Sequence, residues 1–344
     1  MRLLGENLRW RVLVLGTVLL LAACGGDDSS TSTEQQGSGK AQFKIALVTD
    51  VGQLNDRGFN QLAYEGLKRA EKELGVQIRV AQSRSAADYI PNHTTLARQG
   101  YDLIIGVGFA QGDAVDAAAM KMPNASYAII DVDQQSLKHK PKNVVGLLFR
   151  EEEAGYLAGV LAGLSVKKDK APVVGSVGGF KEPPVDRFIA GYQAGAAWAA
   201  PQVKTLNSYS SDWDDQAKCK EIAIDQISRG ASVVFQVAGG CGLGALDAAK
   251  ERKVWGIGVD ADQSFLGNFV LTSAMKHVDE AVFRTIKSVV DGDFEGGKSL
   301  VFGLKEDGVG LGKISPKVPE RDRLALQDVQ KRIRAGEIDI PRTL

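Results

Sequence analysis

From residue 43 onward, short apolar runs rich in β-branched residues alternate with longer amphipathic stretches, and this alternation limits the fold more than any other feature. Parallel strands cannot be joined by tight turns, so each needs a crossover, usually a helix, and the alternation therefore reads as α/β layers. Strands are predicted at residues 43–49, 77–82, 102–107, 127–130 and 144–149, with helices at 57–74, 89–99 and 112–120. The first helix carries Phe59, Leu62, Leu67, Ala70 and Leu74 at roughly helical spacing and stops at Gly75. Beyond it the pattern repeats, with helices at 152–164, 185–200, 215–229 and 243–251 and strands at 172–177, 203–208, 232–237 and 254–259. Strands at 269–273 and 299–303 and helices at 278–290 and 319–335 complete the reading. One small lobe cannot hold so many parallel strands, and 344 residues suffice for about two domains, so two α/β lobes are expected. No short-period repeat argues for a solenoid or propeller.

The first residues read as a targeting segment and not as fold. Arg2, Arg9 and Arg11 precede an apolar run from Val12 to Leu21, which ends in Ala22-Ala23-Cys24. The run is shorter than the roughly 20 apolar residues that span a bilayer. Its ending resembles a bacterial lipobox, in which cleavage leaves Cys24 as a lipid-carrying N-terminus. Residues 1–23 are thus expected to be a signal peptide. Residues 24–40, rich in Gly, Ser, Thr, Asp and Gln, are expected to be a flexible tether. Cys219 and Cys241 then lie outside the cytoplasm, where disulfides persist, and are expected to pair, with two buried free thiols as the alternative.

Charge excludes some partners. Lys+Arg and Asp+Glu both number 42, which gives no net field to gather nucleic acid. Residues 292–299 match the Walker A pattern letter by letter, but a helical pattern precedes them and a β-rich one follows. A phosphate loop needs the reverse order, so Gly292 reads as a helix cap. Gly240-Cys-Gly-Leu-Gly does not complete the dinucleotide fingerprint, and no cofactor is assigned. His93, His139 and His277 lack metal-ligand spacing, no nucleophile elbow occurs, and no metal site is assigned.

Three predicted strands end in aspartate, at Asp50, Asp131 and Asp260. Ligands of open α/β sheets bind outside the carboxyl ends of strands, so these carboxylates stand where a ligand would sit, although helix capping is the common alternative. Glycine-rich turns follow other strands, among them Gly106-Val-Gly-Phe109 and the loop that contains Gly239. They suit a lined cleft or plain turns. Phe59, beside Asn60, and Trp213 fall after strands of different lobes, either facing one another or packing locally.

These residues resemble the basic membrane protein family of bacterial lipoproteins, which includes purine nucleoside receptors serving ABC transporters. The matching stretches are Thr49-Asp-Val-Gly, Asn55-Asp-Arg-Gly-Phe-Asn-Gln61, Glu153-Ala-Gly-Tyr-Leu-Ala-Gly159, Gly175-Ser-Val-Gly-Gly, Phe188-Ile-Ala-Gly-Tyr-Gln-Ala-Gly195, Gly256-Ile-Gly-Val-Asp-Ala-Asp-Gln263 and Leu271-Thr-Ser-Ala-Met-Lys276. The resemblance implies a type I periplasmic binding protein fold, two Rossmann-like lobes joined by a three-crossover hinge. Lobe 1 would be residues 41–146 plus 264–292, and lobe 2 residues 147–263 plus 293–344. It further implies that Phe59 and Trp213 sandwich a purine, Asn60 and Asp131 bind its polar edge, Asp260 and Lys276 bind ribose hydroxyls, and Gly239 approaches the ribose through its backbone. Asp131, if ionised, would favour the paired donors of guanosine. Trp213 stands where the family more often has Phe, and Cys241 where it usually has Thr. The implied partners are a purine nucleoside, an ABC permease and the membrane through lipid on Cys24, with no nucleic acid and no catalysis. The alternatives are another small ligand on the same fold, such as a sugar or nucleobase derivative, or a surface receptor or adhesion lipoprotein.

Overall fold

A computed structural model describes residues 43–344. The expected signal segment, the tether and Cys24 lie outside the described residues. In chain order the first elements are β1 Lys44–Val51, α1 Phe59–Leu74, β2 Gln77–Ser83, α2 Tyr89–Arg98, β3 Leu103–Gly106, α3 Gly112–Lys121, β4 Ser126–Ile130 and β5 Val144–Phe149. Then come α4 Glu151–Val166, β6 Val173–Gly178, α5 Pro183–Ala199, β7 Lys204–Tyr209, α6 Gln216–Ser228, β8 Ala231–Val237, α7 Gly242–Glu251, β9 Trp255–Asp260 and β10 Val270–Lys276. The chain closes with α8 Val278–Asp291, β11 Lys298–Phe302, β12 Val309–Leu311 and α9 Glu320–Arg334.

The strands form two six-stranded sheets, in the orders β11-β5-β4-β3-β1-β2 and β12-β10-β9-β8-β6-β7. All pairings are parallel except β10 with β12. Parallel sheets are covered on both faces, which is why β1 reads as a nearly unbroken apolar run with Ile45, Ala46, Leu47 and Val48 all fully buried. The chain passes from the first sheet to the second after β5, returns to the first before β11, and crosses again before β12. These are the three crossovers of the expected hinge.

The return to the first lobe differs from the expected 264–292. Strand β10 pairs with β9 and β12 in the second sheet, and the strand that rejoins the first sheet is β11, on β5. Helix α8 between them packs on α1, with Gly66 pressed against the backbone of Asp279. The apolar pattern of residues 269–273 marks a buried strand but says nothing of which sheet receives it.

Helices α4 and α5 form the tightest joint. An added Cβ at Gly155, Gly159 or Gly163 would lie 2.0–2.5 Å from a backbone carbonyl of α5, and Gly191 and Gly195 meet α4 in the same way. Small residues one turn apart let the two backbones touch, and α4 is accordingly buried almost all round. No helix among the described residues is long and apolar enough to cross a membrane. Gly292 ends α8 in the left-handed conformation (φ 82°) and Ser299 lies inside β11, so the Walker-like stretch has the helix-then-strand context read from its sequence.

Candidate functional site

The carboxyl edges of both sheets face one cavity of about 650 Å³, counting the space at its mouth. All nine expected site residues line it: Asp50, Phe59, Asn60, Phe109, Asp131, Trp213, Gly239, Asp260 and Lys276. Strand ends bring them there. Asp50 belongs to β1, Phe109 follows β3, Asp131 follows β4, Trp213 follows β7 and Gly239 follows β8, while Asp260 and Lys276 end β9 and β10.

None of the three strand-end aspartates caps a helix. Asp50 accepts hydrogen bonds from the Tyr89 hydroxyl and the Val51 N–H, and burial pushes its carboxyl up despite both. Asp131 and Asp260 sit at φ 71° and 61°, a left-handed turn that Asp tolerates better than most residues and that aims their side chains off the sheet edge. The capping role falls to Asp56, which accepts from the backbone N–H groups of Gly58, Asn60 and Gln61 at 2.9–3.2 Å and so fixes the start of α1. Phe59 and Asn60 are positioned by that cap. The Asn60 amide is 5% exposed, and its Oδ1 accepts from no described residue.

Lys276 is the cation of the site, and its partners were not legible in the sequence. Its Nζ donates to both carboxylate oxygens of Asp131, at 2.7 and 2.8 Å, and lies 3.0 Å from Oε1 of the fully buried Glu151. The rings of Phe59 and Phe149 flank the ammonium, with centroids at 5.0 and 4.9 Å. Burial works against the charge, but Asp131 and Glu151 outweigh it and hold the lysine above its ordinary value. Burial pushes Asp131 up, and Lys276 opposes this most. The expectation for Asp131 did not include this pairing: Lys276 takes one lone pair on each Asp131 oxygen and leaves one on each for a ligand. The hydrogen bonds that Lys276 makes thus go to Asp131, while Glu151 Oε1 stands beside the ammonium as a counter-charge.

Asp260 accepts no hydrogen bond from a described residue. Burial pushes its carboxyl up to about 7, with Lys276 opposing and Asp56 and Asp131 adding to the rise. Trp213 packs against Gly179, where an added Cβ would meet the indole at 2.1 Å, and against Phe180, whose ring is tilted by 50° at 5.3 Å between centroids. Its carbonyl accepts from Cys241 N–H at 2.8 Å. Cys241 is joined to Cys219 by a disulfide (Cα–Cα 5.6 Å), so the bond braces the loop beneath the indole. Gly239 holds φ 56° beside that ring.

Sequence reasoning missed Glu182, which also lines the cavity, and Tyr89, Glu151 and Phe188. Glu182 follows a strand by four residues, and only its place before Pro183-Pro184 marks it. Burial, then the charges of Asp50 and Asp131, push its carboxyl up to about 7.

Residues 43–344 match the family described as ABC transporter substrate-binding protein PnrA-like. The chain is 37% identical to the ABC transporter nucleoside-binding protein BmpA of Lactococcus lactis over 351 residues, covering 96% of this chain and 97% of that one. It is 36% identical to an uncharacterized lipoprotein of Pyrococcus horikoshii over 311 residues, covering 86% and 75%. Among solved structures, a solute-binding protein of an ABC transporter system from Aeropyrum pernix superposes with a TM-score of 0.79 at 28% identity, covering 86% of this chain and 92% of that one. The two-sheet architecture is accordingly the type I fold of periplasmic solute-binding proteins. The chain belongs to the Bmp family of ABC transporter substrate-binding proteins.

Proposed function

We propose that the chain captures a purine nucleoside in the interlobe cleft and delivers it to the permease of an ABC importer, anchored outside the cytoplasm by lipid on Cys24. The observation that carries this reading is the composition of one cavity. Aromatic faces from each lobe, Phe59 and Trp213, stand with unpaired acceptors at Asn60 Oδ1 and Asp260. Flat aromatic walls suit a base, each worth about 0.5–1.5 kcal/mol beyond burial. Carboxylates suit the donors of a base edge and of ribose hydroxyls. A free base or a free sugar would leave part of this set unmatched, and unmatched buried polar groups cost about 1–3 kcal/mol each.

The relative named as a nucleoside-binding protein supports the ligand class, and the relative named as a lipoprotein supports the anchor. No cofactor or metal enters the reading, and the cleft residues hold a ligand without transforming it. The test is thermal melting with guanosine, inosine, adenosine, cytidine and ribose. A ligand at one hundred times its dissociation constant stabilises the folded state by about 2.7 kcal/mol. Purine nucleosides are expected to raise the melting temperature, and cytidine and ribose to leave it in place. A shift with ribose as large as with nucleosides overturns the reading in favour of a sugar.

A further inference from the structure

Six carboxylates line the cavity, and four of them are engaged. Asp50 is held by Tyr89, Asp56 by the start of α1, Asp131 by Lys276, and Asp214 by the Gln53 N–H at 3.3 Å. Asp260 and Glu182 accept hydrogen bonds from no described residue. Asp260 already has a place in the proposed function; Glu182 has none.

Local sequence reduces the capping donors open to Glu182. It is the N-cap of α5, with extended backbone (φ −126°, ψ 153°), where a carboxylate ordinarily accepts N–H groups of the first turn. Pro183 and Pro184 remove the N–H groups of the first two helical positions, so Val185 is the nearest first-turn donor, and the Glu182 side chain makes no capping bond. Across the cleft, Asn60 Oδ1 is a second acceptor without a partner, on a side chain 5% exposed. Two acceptors, one from each lobe, thus face a space walled by Phe59, Phe188 and Trp213.

We propose that Glu182 is the specificity-determining residue of the cleft and selects purine nucleosides whose base edge presents two adjacent donors, as N1–H and the 2-amino group of guanosine do. This rests on the nucleoside reading above. A carboxylate can accept both bonds from guanosine and one from inosine. Adenosine sets an N1 lone pair against it, so the same group that attracts one base repels the other. Asp131 already shares each of its oxygens with Lys276, whereas both oxygens of Glu182 are without a partner among the described residues.

The test is calorimetric titration of the wild-type protein, Glu182→Gln and Glu182→Ala with guanosine, inosine and adenosine. Wild type is expected to bind them in that order of affinity. Glu182→Gln is expected to weaken guanosine by roughly ten- to a hundredfold, the loss of a charge-assisted pair of hydrogen bonds, and inosine by less. Adenosine is expected to change least, because the new amide can donate to N1. Glu182→Ala is expected to lose the guanosine preference as well, and melting curves without ligand show that both variants fold. Unchanged guanosine affinity, or an equal loss for all three ligands, overturns the proposal while leaving the nucleoside reading intact. A wild-type protein that binds none of the three overturns both.

Discussion

Replacing Lys276 with methionine removes one cation from a place where two carboxylates stay behind. Methionine keeps most of the stem, so the change isolates the charge from the packing. Asp131 is 6% exposed and Glu151 fully buried, so neither is rescued by water. Breaking a buried pair by removing one partner costs about 3–5 kcal/mol. The deficit is also pH-dependent, with a sign set by Asp131. Burial pushes its carboxyl up and Lys276 is the main opposing group, so without the lysine the folded-state value rises further above the unfolded one. A carboxyl raised in this way binds its proton more tightly folded than unfolded. Stability therefore falls as pH rises from the unfolded value, about 4, toward the folded one, by up to ~1.4 kcal/mol per pH unit. Urea unfolding is expected to give a deficit of about 3–5 kcal/mol near pH 7.5, smaller by roughly 2–3 kcal/mol near pH 5. A deficit under about 1 kcal/mol, or one equal at both pH values, would refute the view that Lys276 balances the buried carboxylates of the cleft.

Three further outcomes follow from the geometry. Burial pushes Asp260 up to about 7, and the hydroxyl donors that the proposed function assigns to it favour the ionised form. Nucleoside affinity is therefore expected to rise with pH through about 7, with proton release visible as buffer-dependent heat in calorimetry, and Asp260→Asn is expected to reduce the slope to the part that Glu182 contributes. Gly159→Ala sets a methyl 2.0 Å from the Tyr192 carbonyl, and overpacking of that kind is expected to cost about 1–3 kcal/mol or more by urea unfolding. A neutral result there would mean that α4 and α5 can separate freely. The disulfide spans a sequence separation of 22, for which the chain-entropy relation gives roughly 3 kcal/mol, so Cys219→Ser with Cys241→Ser is expected to lower the melting temperature. Because the bond braces the Trp213 loop, the double variant is expected to weaken ligand binding as well.

Much of the fold was legible because it follows from periodicity. Buried parallel strands announce themselves as apolar runs, α1 and α8 stop at glycines that do take the left-handed conformation, and the Walker-like stretch was separable by the order of its neighbours. Sheet membership was not legible, since the local pattern of β10 or β11 marks a strand and only long-range pairing assigns its sheet. The three-residue β12 is too short to carry any period. In the site, strand-end aspartates could be found because position at a sheet edge is a local property. The bond from Lys276 to Asp131 joins residues 145 apart, and nothing in either neighbourhood announces it. Glu182 lay between the two cases: the Glu-Pro-Pro sequence signals a helix start with fewer N–H groups to cap, but its place in the cavity needed α5 to be docked.

The central claim is that the cleft holds base and ribose together, and calorimetric titration with guanosine, guanine and ribose in parallel tests it most directly. The account expects measurable binding of guanosine, with guanine and ribose each weaker by at least tenfold, since each leaves one half of the polar set unmatched. Guanine or ribose binding as tightly as guanosine would contradict it.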